Sequence, residues 1–137
     1  MILRIRRTYI ILNPITILSI IFILIRSGIT KCLLCIGALL IHETGHIIMT
    51  YTLGEEISIL KILPFGLSCT LKNQSKITTN KMIKILIAGP AVNIITAGLA
   101  LKWTPQFATI NTIIALINLV PIGELDGKRI LNIVMYH

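Results

Sequence analysis

Ile36-Gly37-Ala38-Leu39-Leu40-Ile41-His42-Glu43-Thr44-Gly45-His46-Ile47-Ile48-Met49 is the stretch on which the reading of this chain turns. It is apolar on both sides, yet His42, Glu43 and His46 fall together in its middle. A charge at the centre of a membrane helix costs about 2.5–3.5 kcal/mol on insertion scales, so an accidental cluster of this kind is disfavoured. On a helix, positions i and i+4 share a face, so both imidazoles can reach one ion. His42-Glu43-Thr44-Gly45-His46 matches H-E-x-x-H, a zinc pattern with the glutamate as general base. Zinc lowers the pKa of its water to about 7. Glu43, beside the ion, can take that proton and later pass it to a leaving amine. The plainer alternative is a satisfied polar cluster that packs helices together.

The composition around this stretch agrees with a lipid setting. The chain has 137 residues, a formal charge of +8, 55% hydrophobic residues and a mean hydropathy of +0.89. That length bounds it to one domain. Only 13% of its residues are charged, against about a quarter in a soluble domain. Disordered and collagen-like classes are excluded, and a soluble zinc protease is contradicted by the hydropathy. The basic residues lie between apolar runs rather than on one polar face, so no nucleic-acid partner is expected. They report orientation in a bilayer instead.

Four apolar stretches organise the chain: residues 9–25, 29–53, 82–101, and one from 106 to Pro121. A crossing needs roughly 17–25 residues. The first three qualify, and the fourth continues after Gly127 through Ile130, Leu131, Ile133 and Val134 as an interrupted helix. Such a break at membrane depth is tolerated only inside protein or beside a water-filled cavity, so it marks a site. The first stretch follows Arg4, Arg6 and Arg7 and ends at Arg26-Ser27-Gly28. It lacks a small-residue cleavage site, so it reads as a retained helix, kinked near Asn13-Pro14. With the N-terminus inside and four crossings, Arg4, Arg6, Arg7, Lys61, Lys72, Lys76, Lys81, Lys84, Lys128 and Arg129 fall inside. Arg26, Lys31 and Lys102 fall outside. This bias puts both termini in the cytoplasm. Alternation in Glu56-Ile57-Ser58-Ile59 and Leu67-Ser68-Cys69-Thr70-Leu71, around Pro64-Phe65-Gly66, predicts a hairpin on the inner membrane face. The expected fold is an all-α polytopic membrane protein: about four transmembrane helices, the last interrupted, plus a short cytoplasmic β-hairpin.

A zinc hydrolase site needs a third protein ligand and an open position for water. The chain has five acidic residues. Besides Glu43 they are Glu55 and Glu56, which would have to fold back from beyond the end of the same helix, and Glu124 and Asp126 in the break. Chemistry alone does not choose between the last two.

Three motifs in this order resemble the site-2 protease family, the intramembrane zinc metalloproteases of the M50 peptidases. They are His42-Glu43-Thr44-Gly45-His46, Ala88-Gly89-Pro90-Ala91-Val92-Asn93, and Asn118-Leu119-Val120-Pro121-Ile122-Gly123-Glu124-Leu125-Asp126-Gly127. Leu63-Pro64-Phe65-Gly66 resembles the small branch typified by stage IV sporulation protein FB, which processes a membrane-associated pro-sigma factor. The resemblance implies one Zn2+ held by His42, His46 and Asp126, with Glu43 as catalytic base. It implies Asn118 and Pro121 on the substrate side, Asn118 as an oxyanion donor or as a structural bond to a carbonyl freed near Pro121. Phe65 and Gly66 would offer a strand edge to an extended substrate. Gly89, Pro90 and Asn93 would be structural, with Gly89 and Ala91 permitting close helix approach. Lys128 stands where the family usually has a second glycine, and Glu124 where an apolar residue is commoner. We expect residues 1–137 to form a single core domain with no PDZ or CBS domain. A homo-oligomer or a regulatory membrane partner would complete its lateral wall.

The function expected is intramembrane zinc endopeptidase, in the bacterial cytoplasmic membrane, acting on a membrane-embedded or membrane-associated protein such as a pro-sigma or anti-sigma factor. The alternative is a catalytically silent zinc- or ion-binding scaffold or transporter subunit. A fourth protein ligand such as Glu124 would favour that alternative. Cys32 and Cys35 read as small apolar side chains on one helical face, or as a redox or metal pair. Trp103 and Tyr9 fall at expected membrane interfaces.

Overall fold

The computed structural model describes residues 2–5, 8–12, 14–63, 66–71 and 77–136, with side chains described for 24–26, 28–58, 71 and 77–136. Phe65 and Pro64 lie outside the described residues, as does Asn13. The element order is β1 (Ile2–Ile5), β2 (Thr8–Leu12), α1 (Pro14–Thr52), β3 (Ile57–Leu63), β4 (Gly66–Leu71), α2 (Thr79–Ala100), α3 (Pro105–Leu119) and α4 (Asp126–Tyr136).

The expected hairpin is present as β3 and β4, antiparallel, with Leu63 opposite Gly66. The sheet is larger than expected. β1 and β2 form a second hairpin, and β2 lies parallel to β3, giving the order β1-β2-β3-β4. An all-α description therefore fails at the N-terminus. Tyr9, Ile10, Ile11 and Leu12 are strand residues rather than the start of a helix, because β3 offers them a parallel neighbour. Pro14 opens α1 instead of kinking it: proline lacks only an N–H that a first-turn residue does not use.

A straight helix of 39 residues would span about 58 Å. Leu12 nevertheless sits beside Ile62, in the strand that follows α1, so the chain has to double back between Pro14 and Thr52. Gly28 is where it does so, at φ 79°, ψ 166°, a region open to glycine and closed to most other residues. The boundary read at Arg26-Ser27-Gly28 is therefore a reversal between two helices, 14–27 and 28–52.

Among the described residues, two helices are long and apolar enough to cross a membrane: Gly28–Thr52 and Thr79–Ala100. Pro105–Leu119 is apolar but shorter, and α4, at 11 residues, is shorter still. By length and composition, two of the four expected crossings are met among the described residues. The two long helices run antiparallel, since Gly45 faces Ala88, His46 reaches Ile85, and Lys81 reaches Leu53. Their close crossing depends on Gly45. A Cβ there would stand 2.6 Å from the carbonyl oxygen of Ala88 and 3.1 Å from Cα of Gly89.

α3 turns back beside α2 and runs parallel to α1, with Phe107 against Gly37. It ends at Val120, which is extended, and Gly123 takes φ 60° in the break. The break read from Pro121 to Gly127 is present, flanked by two separate helices. The main apolar cluster is Leu71, Met82, Ile85 and Leu86, joined by Met49, Leu53, Ile57, Ile77, Ile130 and Ile133. It ties the end of the hairpin, the facing ends of α1 and α2, and one side of α4 into a single packed unit.

Candidate metal centre

His42 and His46 project from one face of α1, with ring planes 78° apart and centroids 4.8 Å apart. Their Nε2 atoms converge to 3.1 Å. Asp126, in the first turn of α4, brings Oδ2 to 3.1 Å from each of them. The three donors form a near-equilateral triangle. All three residues are buried, His42 at 2% exposure and Asp126 at 7%. Among the described residues they form the one cluster of three or more His, Cys, Asp or Glu side chains able to hold a metal ion.

The proton arrangement tests whether a cation fits. Nδ1 of His46 lies 2.7 Å from the backbone carbonyl oxygen of Ile85. A carbonyl can only accept, so Nδ1 carries the hydrogen and donates it. In the neutral ring Nε2 then presents a lone pair, aimed at a carboxylate oxygen and at a second imidazole nitrogen. Tetrahedral zinc with bonds of about 2.0–2.1 Å needs donor–donor edges of about 3.3–3.4 Å. The observed edges of 3.1 Å are close to that. The Ile85 carbonyl is also the kind of partner that orients a metal-bound histidine. Two histidines and one carboxylate make a common catalytic zinc set that keeps a fourth position open.

Neighbouring backbone is shaped to the cluster. A Cβ on Gly89 would lie 2.8 Å from Nε2 of His42, 2.6 Å from Cε1 of His46, and closer still to Nε2 of His46. Gly89 therefore lets α2 lie directly against the donors. Pro90, buried next to it, cannot donate to the carbonyl of Leu86, which loosens α2 in the turn that carries Ile85. On the other side, a Cβ on Gly127 would collide with the carbonyl of Leu119 and stand 2.9 Å from that of Val120. Gly127 thus lets α4 close on the end of α3 with Asp126 at its start, where the helix dipole favours a carboxylate.

The remaining expected residues distribute as follows. Glu43 is buried on α1 beside His42, and Asn118 is buried on α3. Asn118 Nδ2 donates to the Ile114 carbonyl in its own helix at 3.0 Å, not to a carbonyl freed near Pro121. Pro121 and Glu124 are exposed, and Glu124 is not part of the donor cluster. Glu55 is ion-paired with Lys81 at 2.7 Å and contributes no donor. Gly66 opens β4, whose partner is β3. Asn93 is buried on α2. Cys32 and Cys35 are free thiols, one buried and one half-buried. Trp103 is exposed in the turn after α2, with Lys102 Nζ 5.5 Å from its ring centre. The sequence reading assigned no role to Gly45, the Ile85 carbonyl or Asn111. Two signals were available: a glycine in the middle of an apolar helix, and an asparagine amid the apolar residues of α3.

Fold and donors together define a class: a chiefly helical, membrane-type domain that delivers two histidines and an aspartate to one buried point. The comparisons with known proteins fall in the same place. The chain is similar to the site-2 protease from Methanocaldococcus jannaschii, with a TM-score of 0.80 and 24% identity over 98% of this chain and 71% of that one. It is 28% identical over 122 residues to the Synechocystis sp. protein named "Putative zinc metalloprotease", covering 80% of this chain. The chain spans 32% of the length of that curated relative. No protein-family model matches it. The resemblance to the site-2 protease family read from the three motifs is upheld: the chain has the site-2 protease fold and a sequence similar to that of the Synechocystis protein.

Proposed function

We propose that the chain is the core of an intramembrane zinc endopeptidase, acting on a membrane-embedded or membrane-associated protein. The observation that carries this reading is the 3.1 Å triangle of His42, His46 and Asp126 donors with Glu43 buried beside it. The similarity to the Synechocystis protein named "Putative zinc metalloprotease" supports zinc, and both relatives support a protease. His42, His46 and Asp126 hold one zinc ion. When bound, the ion supplies Lewis-acid chemistry to water and to the scissile carbonyl. Glu43 is the general base: its carboxylate takes the proton from the attacking water and returns it to the leaving amine. Asn118 is held by its bond to Ile114 and has a second Nδ2 hydrogen to offer a developing oxyanion. Pro121 and Gly123 keep the break non-helical beside the site. The substrate unwinds locally and pairs with the hairpin near Phe65 and Gly66. β4 ends the sheet, which supports strand addition at that edge.

Residues 1–137 act as a single core domain. It sits in a bacterial cytoplasmic membrane with both termini inside, and the short α3–α4 pair forms the interrupted fourth segment. The substrate class implied by the sporulation-like branch is a pro-sigma or anti-sigma factor, and a second copy or a regulatory membrane partner closes the lateral wall. A fourth ligand such as Glu124 would have favoured the silent-scaffold alternative; Glu124 is exposed and outside the cluster. The test is reconstitution in vesicles with a panel of short membrane-anchored substrates, beside Glu43→Gln. That variant is expected to retain zinc and lose cleavage. Persistent cleavage by it would sink the proposal.

A further inference from the structure

Four buried polar atoms of Asn93, Asn111 and His42 take no part in the donor triangle. Asn93 and Asn111 are both 0% exposed. Neither Nδ2 nor Oδ1 of Asn93 finds a hydrogen-bond partner among the described residues, nor do Oδ1 of Asn111 and Nδ1 of His42. Buried amides left unsatisfied forfeit their hydration without recompense, so each needs a physical account.

Their positions converge. The face of α2 that carries Gly89 lies against the His42 ring, 2.8 Å from Nε2 to the position of a Cβ. Asn93 is one turn further along that same face. On α3, Phe107 meets Gly37 of α1. Asn111 follows one turn later, its Nδ2 donating to the Phe107 carbonyl at 2.8 Å. Since α3 and α1 run parallel, Asn111 is level with the turn of α1 that holds His42. Three helices therefore surround these atoms.

The donor and acceptor count is informative. With Nε2 of His42 presenting a lone pair to the cluster, Nδ1 carries the hydrogen. Nδ1–H and Asn93 Nδ2 are donors, while Asn93 Oδ1 and Asn111 Oδ1 are acceptors. A buried water makes two to four such bonds, donating and accepting. The two histidines also differ in support. His46 is fixed by the Ile85 carbonyl, whereas His42 has no such partner among the described residues. Metal-bound histidines almost always donate their second nitrogen to a carboxylate, a carbonyl or a water.

We propose that Asn93, Asn111 and Nδ1 of His42 bind buried water at the junction of α1, α2 and α3. This water fixes the His42 ring in the tautomer that turns Nε2 to the metal. Asn93 and Asn111 are then positioning residues of the zinc centre rather than packing residues. The inference rests on reading His42, His46 and Asp126 as a metal centre.

The experiment is zinc competition against a chelator on the purified chain in detergent, with thermal melting of the zinc-free forms alongside. Asn93→Leu fills the space without a polar group and is expected to weaken zinc binding about 10–100-fold, the cost typical of a lost outer-shell partner. Asn111→Leu is expected to weaken it in the same direction. Asn93→Asp keeps the shape and an acceptor for the water and is expected to stay within about threefold of the parent chain, so that the loss in Asn93→Leu is assigned to the missing polar group. If both leucine variants bind zinc within about threefold of the parent, whatever their melting temperatures, the proposal is wrong. Should Asn93→Leu not fold, Asn111→Leu and Asn93→Asp decide. If the parent chain itself binds zinc no better than His42→Ala does, the metal reading has failed first, and this inference goes with it.

Discussion

Replacing Gly89 with alanine adds one methyl group against both imidazoles of the donor cluster. Its carbon would stand 2.8 Å from Nε2 of His42 and nearer still to the His46 ring. Ordinary contacts are about 3.5–4.0 Å, so the shortfall at His42 alone is about 0.7–1.2 Å. Two relaxations are open. If the imidazoles swing away from α2, the donor triangle, now 3.1 Å on each edge, opens by a comparable distance. Functional constellations tolerate about 0.5 Å, so zinc affinity falls at least as far as on losing an outer-shell partner, about 10–100-fold. If α2 moves instead, the Gly45–Ala88 crossing separates, and overpacking costs about 1–3 kcal/mol. Gly98→Ala is the control on the same helix. A Cβ there meets nothing within 4 Å, so the change should gain up to about 1 kcal/mol from helix propensity and leave zinc binding alone. Chelator competition and thermal melting in detergent measure both quantities. If Gly89→Ala binds zinc like the parent and melts like Gly98→Ala, then α2 does not press on the imidazoles and the geometry argued for the site is wrong.

Two further outcomes follow from local contacts. Gly127→Ala drives a methyl group into the Leu119 and Val120 carbonyls. It should cost about 1–3 kcal/mol of stability and weaken zinc, both read from the same melts and titrations. Lys81→Met removes the Nζ that bonds the Leu53 carbonyl at 3.1 Å and Glu55 at 2.7 Å. Lys81 is 40% exposed, so the expected loss is at most about 1 kcal/mol, shrinking as salt is raised, with zinc affinity unchanged.

The parts legible in the sequence were those set by local spacing. His42 and His46 at i and i+4 had to share a face of a helix. The alternation around Pro64-Phe65-Gly66 gave the hairpin, and Gly28 marked a boundary. What escaped was tertiary. Ile2–Ile5 and Thr8–Leu12 are rich in β-branched residues, with Leu3-Arg4-Ile5 alternating. Their apolar content continues into the helix that follows, and hydropathy merges the two. Only the parallel register of β2 on β3 separates them. Gly45 had no role in the sequence beyond its place in the histidine motif, and what it does, letting α2 approach, is a contact that no spacing reveals. Asn118 was left as an oxyanion donor or as a bond to a carbonyl freed near Pro121; its bond lies within its own helix, because a helical amide three or four residues from a carbonyl has that partner always at hand.

The donor cluster also shows which forces shape the site before any ion arrives. His42 and His46 are fixed to each other by one helix, but Asp126 comes from 84 and 80 residues away, along α3 and through the break. Bringing three electron-rich atoms to 3.1 Å is unfavourable without a proton or a cation between them. That repulsion acts to push α4 off α1. The apolar contacts oppose it: Ile130 and Ile133 of α4 pack onto Leu71, Met82, Ile85 and Leu86, each buried side chain contributing about 1.5–3 kcal/mol when fully buried. Gly127 adds the close seat against α3. The apolar clasp and the donor repulsion therefore act on the same helix in opposite senses. An ion between the donors reverses the sign of the second and couples binding to the docking of α4.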